Sequence, residues 1–437
     1  MKKFSIYNFL FNNKGNHYIY NLLTTAIISL DEETYSKISK NDIQLLSFEE
    51  ILTLQEQGFV VDADADEPKK YQYYYDKTRY DTTSKILALC FIPTYGCNLA
   101  CPYCYEGKNK SFKKIEQEDI DSILSFYKKK LQEGQKSSPI TQVEILLYGG
   151  EPLMDLPSLE YFCQGIEEIS KQYSIEVYFS MVSNLTLLNQ KSIDLIRKYK
   201  ILTQVSIDGT KEEHDTRRIY SNGLGTYNLI QENLAKLVNA GLKEYITLRL
   251  NIDSQNIESV AEIFENAKQY SNDIYFGILS SYKNANEDFQ NTCVNTNCPE
   301  SLLLNTHELY RKINLPTPQK FGKKGPCALN SENKYIIDCY LNVYKCDLLV
   351  NHPECSVGKI SKEGEFICNE NFFKQMSFSP CTIDKCTVCK FLPLCGGGCP
   401  ATTYLNSGQT NADISCPSCE FNHEKLKQVL IDFVEDT

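Results

Sequence analysis

The most informative segment of the sequence is Cys97-Asn98-Leu99-Ala100-Cys101-Pro102-Tyr103-Cys104, which contains three closely spaced cysteines. Three thiols this close together can hold three irons of a 4Fe-4S cluster and leave the fourth iron open, whereas a cluster that only carries electrons normally has four Cys ligands. Zinc or three unrelated core cysteines are the alternatives, but the chain has only five His and none near this loop, so the common Cys/His zinc patterns fit poorly. The spacing therefore predicts an iron-sulfur cluster whose open iron binds a small molecule.

Four polar segments follow apolar runs farther along the chain. They are Gly149-Gly150-Glu151-Pro152, Ser183-Asn184, Ser206-Ile207-Asp208-Gly209 with Arg218, and Arg249-Leu250-Asn251. Each segment alone is compatible with an ordinary turn, because Gly-Gly and Asp-Gly pairs are common in loops. Their succession after the cysteine loop is much more specific than any one of them.

The cysteine spacing, the aromatic residue before the third cysteine and these segments together resemble the radical S-adenosylmethionine (radical SAM) superfamily. The resemblance implies that Cys97, Cys101 and Cys104 ligate a catalytic 4Fe-4S cluster and that S-adenosylmethionine completes the coordination of its open iron. Reductive cleavage of this cofactor gives a 5'-deoxyadenosyl radical that abstracts hydrogen from carbon. The residues that the resemblance places around the cofactor are Tyr103, Gly149, Gly150, Glu151, Pro152, Ser183, Asn184, Ser206, Asp208, Arg218 and Asn251. Among them, Glu151 is expected to hold the methionyl amino group.

Residues 85–285 alternate between short apolar runs and amphipathic segments, which is typical of α/β proteins. The predicted strands are Ile86–Pro93, Val143–Tyr148, Val177–Ser183, Leu202–Ile207, Ile246–Asn251 and Ile274–Ile278. The predicted helices are Gln117–Leu131, Ser158–Tyr173, Gln190–Tyr199, Tyr227–Ala240 and Ile257–Tyr270. Six strands with helical crossovers suggest a partial (β/α)6 TIM-like barrel, which the resemblance also implies. Ligands of such sheets gather at the carboxyl ends of the strands, where the polar segments fall.

Residues 1–84 are predicted to form a small α+β module. Two β-like runs, Phe4–Phe11 and Tyr18–Ile28, precede helical segments at Glu32–Ser39 and Phe48–Glu56. An acidic run from Asp62 to Pro68 with a Tyr-rich continuation closes the module, and we favour a solvated linker over a peptide contact surface for it, because like charges favour solvation. By analogy with peptide-modifying relatives, the module is a candidate for binding a leader segment as an added strand.

A second dense group of cysteines follows a bridge at 286–320. The motif Cys386-x2-Cys389-x5-Cys395-x3-Cys399, with Cys327 and Cys346 before it and Cys416 after it, resembles a SPASM domain, here 321–437. The resemblance implies two auxiliary 4Fe-4S clusters. One set of ligands would be Cys386, Cys389, Cys395 and Cys416, with Cys419 as the competitor of the last, and the other set would be Cys327, Cys346 and Cys399. A zinc ribbon is the alternative for this array.

The fourth ligand of the second set is left open by the sequence. Relatives place a cysteine soon after the first one, but residues 330–338 contain none. Cys339 or Cys355 could replace it, or the iron could be open to a substrate thiolate. Three other cysteines, Cys90, Cys163 and Cys368, are expected to be small buried hydrophobic residues, since free Cys is often buried. The roles of Cys293, Cys298 and Cys381 stay undecided.

Composition narrows the compartment and the partners. The chain has 437 residues, 19 Cys and a formal net charge of -11. Abundant thiols without an export signal favour a reducing, cytoplasmic location, and no run approaches the ~18 apolar residues of a membrane helix. The negative charge opposes binding to nucleic acid or anionic lipid.

The preferred function is radical modification of a ribosomally synthesised precursor peptide, with a thioether or another crosslink favoured. The implied cofactors are three 4Fe-4S clusters and S-adenosylmethionine, and the implied partners are the peptide and a low-potential electron donor such as flavodoxin or ferredoxin. An anaerobic sulfatase-maturating enzyme, which generates formylglycine, is the alternative; a non-catalytic iron-sulfur or zinc scaffold is more remote. The sequence leaves open the bond formed, the general base or hydrogen donor, and the oligomeric state.

Overall fold

The computed structural model describes residues 1–82, 86–104, 110–137, 140–278, 309–311, 313, 325–407 and 423–435. Its strands are β1 (Lys2–Phe4), β2 (Asn8–Asn13), β3 (Asn16–Asn21), β4 (Ile27–Leu30), β5 (Val60–Asp62), β6 (Ile86–Phe91), β7 (Gln142–Leu147), β8 (Glu176–Ser183), β9 (Leu202–Ile207), β10 (Ile246–Ile252), β11 (Asp273–Ile278), β12 (Lys334–Ile337), β13 (Asn342–Tyr344), β14 (Gly358–Ile360) and β15 (Phe366–Cys368). None of the described helices is both long enough and apolar enough to span a bilayer.

The α-helices are α1 (Glu32–Ser39), α2 (Phe48–Glu56), α3 (Glu67–Thr82), α4 (Gln117–Ser137), α5 (Leu156–Tyr173), α6 (Gln190–Tyr199), α7 (Lys211–Arg217), α8 (Tyr227–Asn239), α9 (Val260–Lys268), α10 (Glu370–Met376), α11 (Asp384–Thr387), α12 (Leu392–Cys395), α13 (Pro400–Ser407) and α14 (His423–Glu435). Short 3-10 turns lie at Ile43–Leu45, Pro152–Asp155, Lys243–Tyr245, Ile257–Ser259, Ala328–Asn330, Asp347–Leu349, Pro353–Cys355 and Pro380–Thr382.

The six strands β6 to β11 run parallel and lie side by side in chain order. This order confirms the α/β prediction, and five helices that cross between the strands match the predicted segments closely. The sequence analysis missed α7, which directly follows β9. Large apolar side chains fill the interface of sheet and helices; for example, the rings of Phe91 on β6 and Phe162 on α5 stack with centroids 4.1 Å apart. Because all six carboxyl ends lie at one edge, the polar segments after them meet there.

Beyond β6 the same sheet continues into the cysteine-rich region. Strand β12 pairs in parallel with β6, and β13, β14 and β15 extend the sheet in antiparallel fashion to give ten strands. Tyr335, Ile336 and Ile337 of β12 are buried in the core of the sheet. The cysteine-rich region is therefore joined to the first barrel strand by backbone hydrogen bonds, which the sequence analysis did not anticipate.

The N-terminal module contains a three-stranded antiparallel sheet in the order β2, β3, β4, and β1 pairs separately with β5. The predicted helices coincide with α1 and α2, and the latter begins with a capping box between Ser47 and Glu50. The first predicted β run, however, is broken by a turn at Ser5, Ile6 and Tyr7 between β1 and β2.

The linker interpretation of the acidic run is wrong from Glu67 onward. Glu67 is buried and begins helix α3, and its carboxylate accepts hydrogen bonds from the Ser5 hydroxyl at 2.5 Å and the Ile6 amide at 2.9 Å. Tyr71 and Tyr75, which the Tyr-rich continuation contributes, lie one turn apart on α3 and are both buried. Helical spacing thus turns them toward an apolar core rather than toward solvent.

That core is shared by the two ends of the chain. Its buried members from the module include Tyr7, Phe9, Phe11, Tyr20, Leu22, Leu23, Tyr71 and Tyr75, and those from the C-terminal region are Cys386, Phe391, Leu392, Leu394, Leu426, Val429 and Leu430. The module is therefore packed against the cysteine-rich region and has no separate apolar interior on this side.

Candidate functional site

The cysteine loop follows β6 and is held by backbone hydrogen bonds to the segment after α7. The Ala100 amide donates to the Ile219 carbonyl at 2.7 Å, and Leu99 forms an isolated antiparallel bridge with Tyr220. Within the loop, the Cys104 amide donates to the Cys101 carbonyl at 3.1 Å. These bonds bring the cysteine loop and the Arg218 region to the same end of the sheet.

The pair Gly149-Gly150 lets the chain after β7 approach this loop. The Gly150 amide donates to the Thr94 carbonyl at 3.2 Å, and the Glu151 amide donates to the Gly96 carbonyl at 2.9 Å. A Cβ on Gly150 would lie 2.2 Å from the Gly96 oxygen, and Gly149 has a φ of +128°. Both positions therefore require glycine, one because of space and one because of backbone conformation.

Glu151 is fully buried and already bound by the protein. Its Oε1 accepts hydrogen bonds from the Ser183 hydroxyl at 2.8 Å and the Leu153 amide at 3.1 Å, and its Oε2 accepts one from the Asn184 amide at 2.7 Å. Burial raises the pKa of this carboxyl, and the three donors partly oppose the rise. Since a carboxylate offers about four acceptor positions, one remains for a further donor such as an ammonium group.

Asn184 connects this carboxylate to the cysteine loop. Its side-chain amide donates to Asn98 Oδ1 at 2.9 Å and lies 3.8 Å from the Sγ of Cys97. Pro152, the last residue of the predicted motif, begins the 3-10 turn that Glu151 caps. The structure thus brings the predicted residues at the ends of β7 and β8 against the first cysteine.

A second network is centred on Asp208, which is completely buried after β9. Its side chain contacts the Tyr103 hydroxyl, accepts a hydrogen bond from Asn251 Nδ2 at 2.8 Å, and lies 3.8 Å from Arg218 Nη1. Arg218 in turn donates to the Tyr103 hydroxyl at 2.9 Å. Four residues that the sequence suggested separately therefore form one hydrogen-bonded group.

Two features of this group favour a ligand beside it. The Nε of Arg218 is buried and has no hydrogen-bond partner among the described residues, which is a costly state for a charged donor unless a ligand completes it. Burial also raises the pKa of Tyr103, so its hydroxyl stays protonated as a donor. Ser206 is buried two residues before Asp208 and lies in register with Arg249 of β10.

His214 holds the backbone of Asp208 in place through a hydrogen bond. The Asp208 amide donates to His214 Nδ1 at 3.3 Å, and His214 Nε2 lies 3.1 Å from the Thr226 hydroxyl. Burial lowers the pKa of His214 to about 4, so the ring is neutral at pH 7. With Nδ1 as acceptor, the proton of the neutral ring is on Nε2.

The three thiols of the loop are soft ligands of the kind that iron-sulfur clusters use. Burial raises the pKa of Cys97 to about 11, and charges on the nearby Cys101 and Glu151 contribute to the rise. The pKa of Cys101 is raised by burial too, while Arg218 opposes the rise and Cys104 adds to it. In the described ranges, no three Cys, His, Asp or Glu side chains converge closely enough to hold a metal ion as they stand. The three thiols and the unpaired Nε of Arg218 nonetheless fit a cluster with a charged ligand at this end of the sheet.

The C-terminal cysteines fall into two neighbourhoods. Cys346 and Cys399 pack against one small apolar cluster with the buried Cys355, and charges on Cys399 and Cys327 are among the causes that raise the pKa of Cys346, after burial and Asp347. Cys386 and Cys389 lie instead at the shared core of the two chain ends, together with Cys381. Cys395 is also buried at that core's edge, on α12.

Cys346 and Cys399 of one predicted ligand set thus lie together, as do Cys386 and Cys389 of the other, and the two sets themselves stay a prediction. Cys339 is buried in the core of the large sheet, away from the small cluster that contains Cys355. Cys90 and Cys163 are buried as expected, whereas Cys368 is exposed and that expectation is wrong. Cys293, Cys298, Cys416 and Cys419 lie outside the described residues.

Sequence reasoning missed a contact between the cysteine loop and the C-terminal region. The Tyr95 hydroxyl donates to Asp338 Oδ2 at 3.0 Å and accepts from the Asn351 amide at 3.2 Å. It also missed the buried pair of Arg217 and Asp253, whose side chains are 2.8 Å apart. No spacing rule connects these residues, because each pair is formed only by the tertiary fold.

The comparisons with known proteins agree with this geometry. Residues 91–267 of the chain match the family model of the Radical SAM superfamily. The chain is 25% identical over 358 residues to the cysteine-type anaerobic sulfatase-maturating enzyme of Clostridium novyi (strain NT). The alignment covers 75% of this chain and 92% of that protein.

Two solved structures share the fold. One is native anSMEcpe with bound AdoMet and Kp18Cys peptide, with a TM-score of 0.58 and 20% identity over 80% of this chain and 98% of that chain. The other is Streptococcus suis SuiB bound to the precursor peptide SuiA, with a TM-score of 0.53 and 14% identity over 95% of this chain and 99% of that chain. At such identities the likeness establishes the fold alone.

Proposed function

We propose that this radical SAM enzyme modifies a ribosomally synthesised precursor peptide, with a thioether or another crosslink as the product. The observation that carries the proposal is a groove of about 640 Å³ along strand β2, remote in sequence from every cofactor segment. Residues of β2 and α1 line it, and Lys390 and Lys427 of the C-terminal region close it. The groove therefore belongs to both ends of the chain.

The geometry of β2 suits an added peptide strand. β2 is an edge strand whose one neighbour in the sheet is β3. The Leu22 amide donates to the Tyr7 carbonyl, so the alternation of an antiparallel ladder turns the backbone groups of Leu10 and Asn12 away from β3 and into the groove. An extended peptide can pair with these groups, and an acidic side chain of the peptide can meet Lys390 or Lys427.

The extent of the fold likeness supports the same conclusion. The structure of SuiB bound to the precursor peptide SuiA aligns with 95% of this chain, whereas native anSMEcpe aligns with 80%. A peptide-bound relative thus accounts for nearly all of the present fold. We extend this likeness to a SPASM domain at 321–437, with the N-terminal module at 1–84, the core at 85–285 and the bridge at 286–320.

When bound, the cluster and S-adenosylmethionine supply a carbon-centred radical that removes hydrogen from the substrate. Cys97, Cys101 and Cys104 would hold the cluster. Glu151 would accept from the ammonium group of the cofactor, and the Arg218 guanidinium would donate to a cofactor oxygen. The buried networks around these side chains fix their orientation before the cofactor arrives, which lowers the ordering cost of binding.

Two further 4Fe-4S clusters are part of the proposal. One cluster would be held by Cys386, Cys389, Cys395 and either Cys416 or Cys419. The other would be held by Cys327, Cys346 and Cys399. Cys355 is a better candidate than Cys339 for the fourth ligand of this second cluster, because it lies beside Cys346 and Cys399. We also propose a low-potential donor such as flavodoxin or ferredoxin as the source of electrons, and a cytoplasmic location, where free thiols persist.

Sulfatase maturation is the second candidate. It is favoured by the sequence identity to the Clostridium novyi enzyme, which covers 92% of that protein. Such an enzyme would oxidise a Cys or Ser of a sulfatase segment to formylglycine. It would need no separately recognised leader segment, so the groove along β2 separates the two candidates.

Asn12→Pro tests the proposal on the full chain. Asn12 is exposed and its amide faces the groove, so proline removes a donor for an added strand without removing a β2–β3 hydrogen bond. Ser29→Pro is the matched control, because Ser29 is also exposed and lies on the opposite edge strand β4. The substrates tested are the short peptides encoded by open reading frames that flank the gene of the enzyme, and products are measured by mass spectrometry.

We expect Asn12→Pro to raise the peptide KM at least tenfold, while reductive cleavage of S-adenosylmethionine without peptide is unchanged. Ser29→Pro should match wild type in both assays. If the two variants have equal KM values for the peptide, the groove along β2 does not bind the peptide. If no precursor peptide is modified but a sulfatase segment gains formylglycine, the second candidate is correct.

A further inference from the structure

The most informative group outside the radical site is the hydroxyl of Tyr7. Tyr7 lies in the turn between β1 and β2 and is fully buried. Its hydroxyl has no hydrogen-bond partner among the described residues. A buried phenol in a protein core normally pairs its hydroxyl with protein or water, so the partner of the Tyr7 hydroxyl lies beyond the described side chains.

The position of Tyr7 is firmly set by polar contacts of its backbone. Its carbonyl accepts from the Leu22 amide at 2.9 Å, and its amide donates to the Ser5 hydroxyl at 3.2 Å. Ser5 in turn donates to the buried Glu67 carboxylate at the start of α3. These bonds fix the backbone of Tyr7, and the packing of its buried ring keeps the hydroxyl inside the apolar core.

The surroundings of the ring are rich in thiols. Tyr7 shares its apolar core with Cys386, and Cys381 and Cys389 pack against the same core. Glu67 also lies near the ring, but its carboxylate already accepts hydrogen bonds from the Ser5 hydroxyl and the Ile6 amide. The cysteine sulfurs that pack in or against this core are the acceptors on which the proposal rests.

We propose that the Tyr7 hydroxyl donates a hydrogen bond to a sulfur of the auxiliary cluster held by Cys386, Cys389 and Cys395. This inference rests on the auxiliary clusters of the proposed function. A hydrogen bond to a cluster sulfur stabilises the reduced, more negative state and raises the reduction potential. The N-terminal module thus tunes a cluster that the other end of the chain binds, and the tuning depends on the packing of the two ends.

Tyr7→Phe tests the proposal because it removes the hydroxyl and keeps the ring in the apolar core. The control is Tyr199→Phe on α6, a buried tyrosine in the core of the large sheet whose ring contacts Phe179 and Lys198. Both variants are reconstituted anaerobically, their iron is counted, and each cluster is followed by EPR during a redox titration. Exchangeable protons near the clusters are measured by ENDOR after transfer to D2O.

We expect Tyr7→Phe to lower the midpoint potential of one auxiliary cluster and to lose one exchangeable proton coupling, with unchanged iron content. Tyr199→Phe should leave both observables at the wild-type values. Equal potentials and couplings in Tyr7→Phe and wild type would overturn the hydrogen bond while leaving the clusters in place. A wild-type protein with iron for one cluster only would overturn it together with the auxiliary-cluster assignment, and the iron count distinguishes the two failures.

Discussion

The two cysteine regions of this enzyme are built in different ways. The loop of Cys97, Cys101 and Cys104 lies at the carboxyl ends of parallel strands and is surrounded by buried polar networks around Glu151 and Asp208. The C-terminal thiols lie instead against apolar clusters, one of which is completed by the N-terminal module. The radical site is thus oriented by directional hydrogen bonds, whereas the auxiliary region depends on packing between distant parts of the chain.

The largest expected effect is a loss of bound iron when the cysteines of one region are replaced. Wild type reconstituted without oxygen should contain about twelve irons. The triple substitution Cys97/Cys101/Cys104→Ala should lose about four of them and all reductive cleavage of S-adenosylmethionine. Elemental analysis, EPR and detection of 5'-deoxyadenosine make the measurements.

The matched variant is Cys386/Cys389/Cys395→Ala, which should also lose about four irons but retain cleavage of the cofactor. If wild type contains stoichiometric zinc and about four irons, the auxiliary-cluster assignment is wrong and the C-terminal cysteines form a zinc ribbon.

The second prediction concerns the two buried carboxylates that face arginines. Asp208→Ala and Asp253→Ala each remove a partner of a buried Arg, and each should cost about 3–5 kcal/mol of unfolding free energy. Asp208→Ala also frees Tyr103 and Asn251, so affinity for S-adenosylmethionine should fall at least about tenfold. Denaturant unfolding and an anaerobic cofactor titration are the measurements.

Asp253→Ala should lose less cofactor affinity than Asp208→Ala, because Asp253 binds Arg217, Gln255 and Asn256 and reaches Asp208 only through the backbone carbonyl that Arg217 and Asn256 bind. If both variants lose affinity alike, the Asp208 network is a structural element only.

A smaller effect is expected from Glu151→Ala. The charge-assisted contact that we assign to the cofactor ammonium is worth about 1.5–3 kcal/mol, which corresponds to about a tenfold to hundredfold loss of affinity. Iron content should not change, because Glu151 is not a cluster ligand. An anaerobic titration makes the measurement, with the exposed Glu144 on the preceding strand changed to Ala as the control. If Glu151→Ala binds S-adenosylmethionine as tightly as wild type, residues 149–152 form a turn and do not bind the cofactor.

The smallest effect is a pH dependence of stability within the radical site. His214 has its pKa lowered to about 4 by burial, so between about pH 6.5 and pH 4 the unfolded chain binds a proton that the folded chain does not. Stability should therefore fall as the pH falls through this window, by up to about 1.4 kcal/mol per pH unit.

Urea unfolding at pH 7.5, 6.5 and 5.5 measures this slope. His214→Asn, which can still accept from the Asp208 amide, should reduce it, whereas a change of the partly exposed His352 to Asn should not. An unchanged slope in His214→Asn would show that other groups carry the pH dependence.

The alternation of apolar runs and helical segments determined the six parallel strands and their order, because a β-α-β chain has few ways to bury such runs. The resemblance to the radical SAM superfamily predicted Tyr103, Asp208, Arg218 and Asn251 as cofactor-binding residues. Spacing alone could not show that they form one hydrogen-bonded group, since side-chain contacts depend on the register of β9 and β10.

Other features were decided only by the tertiary structure. The acidic, Tyr-rich segment after Asp62 has the composition of a solvated linker, yet Glu67 caps a buried turn and Tyr71 and Tyr75 enter a core with Leu392 and Leu426. A local pattern cannot reveal such partners because they lie more than 300 residues away in the chain. The sequence alone predicted the residues of the candidate radical site, because they stand in short segments beside strands that local patterns reveal. Only long-range packing shows how the N-terminal module is joined to the C-terminal cysteines, because the two lie at opposite ends of the chain.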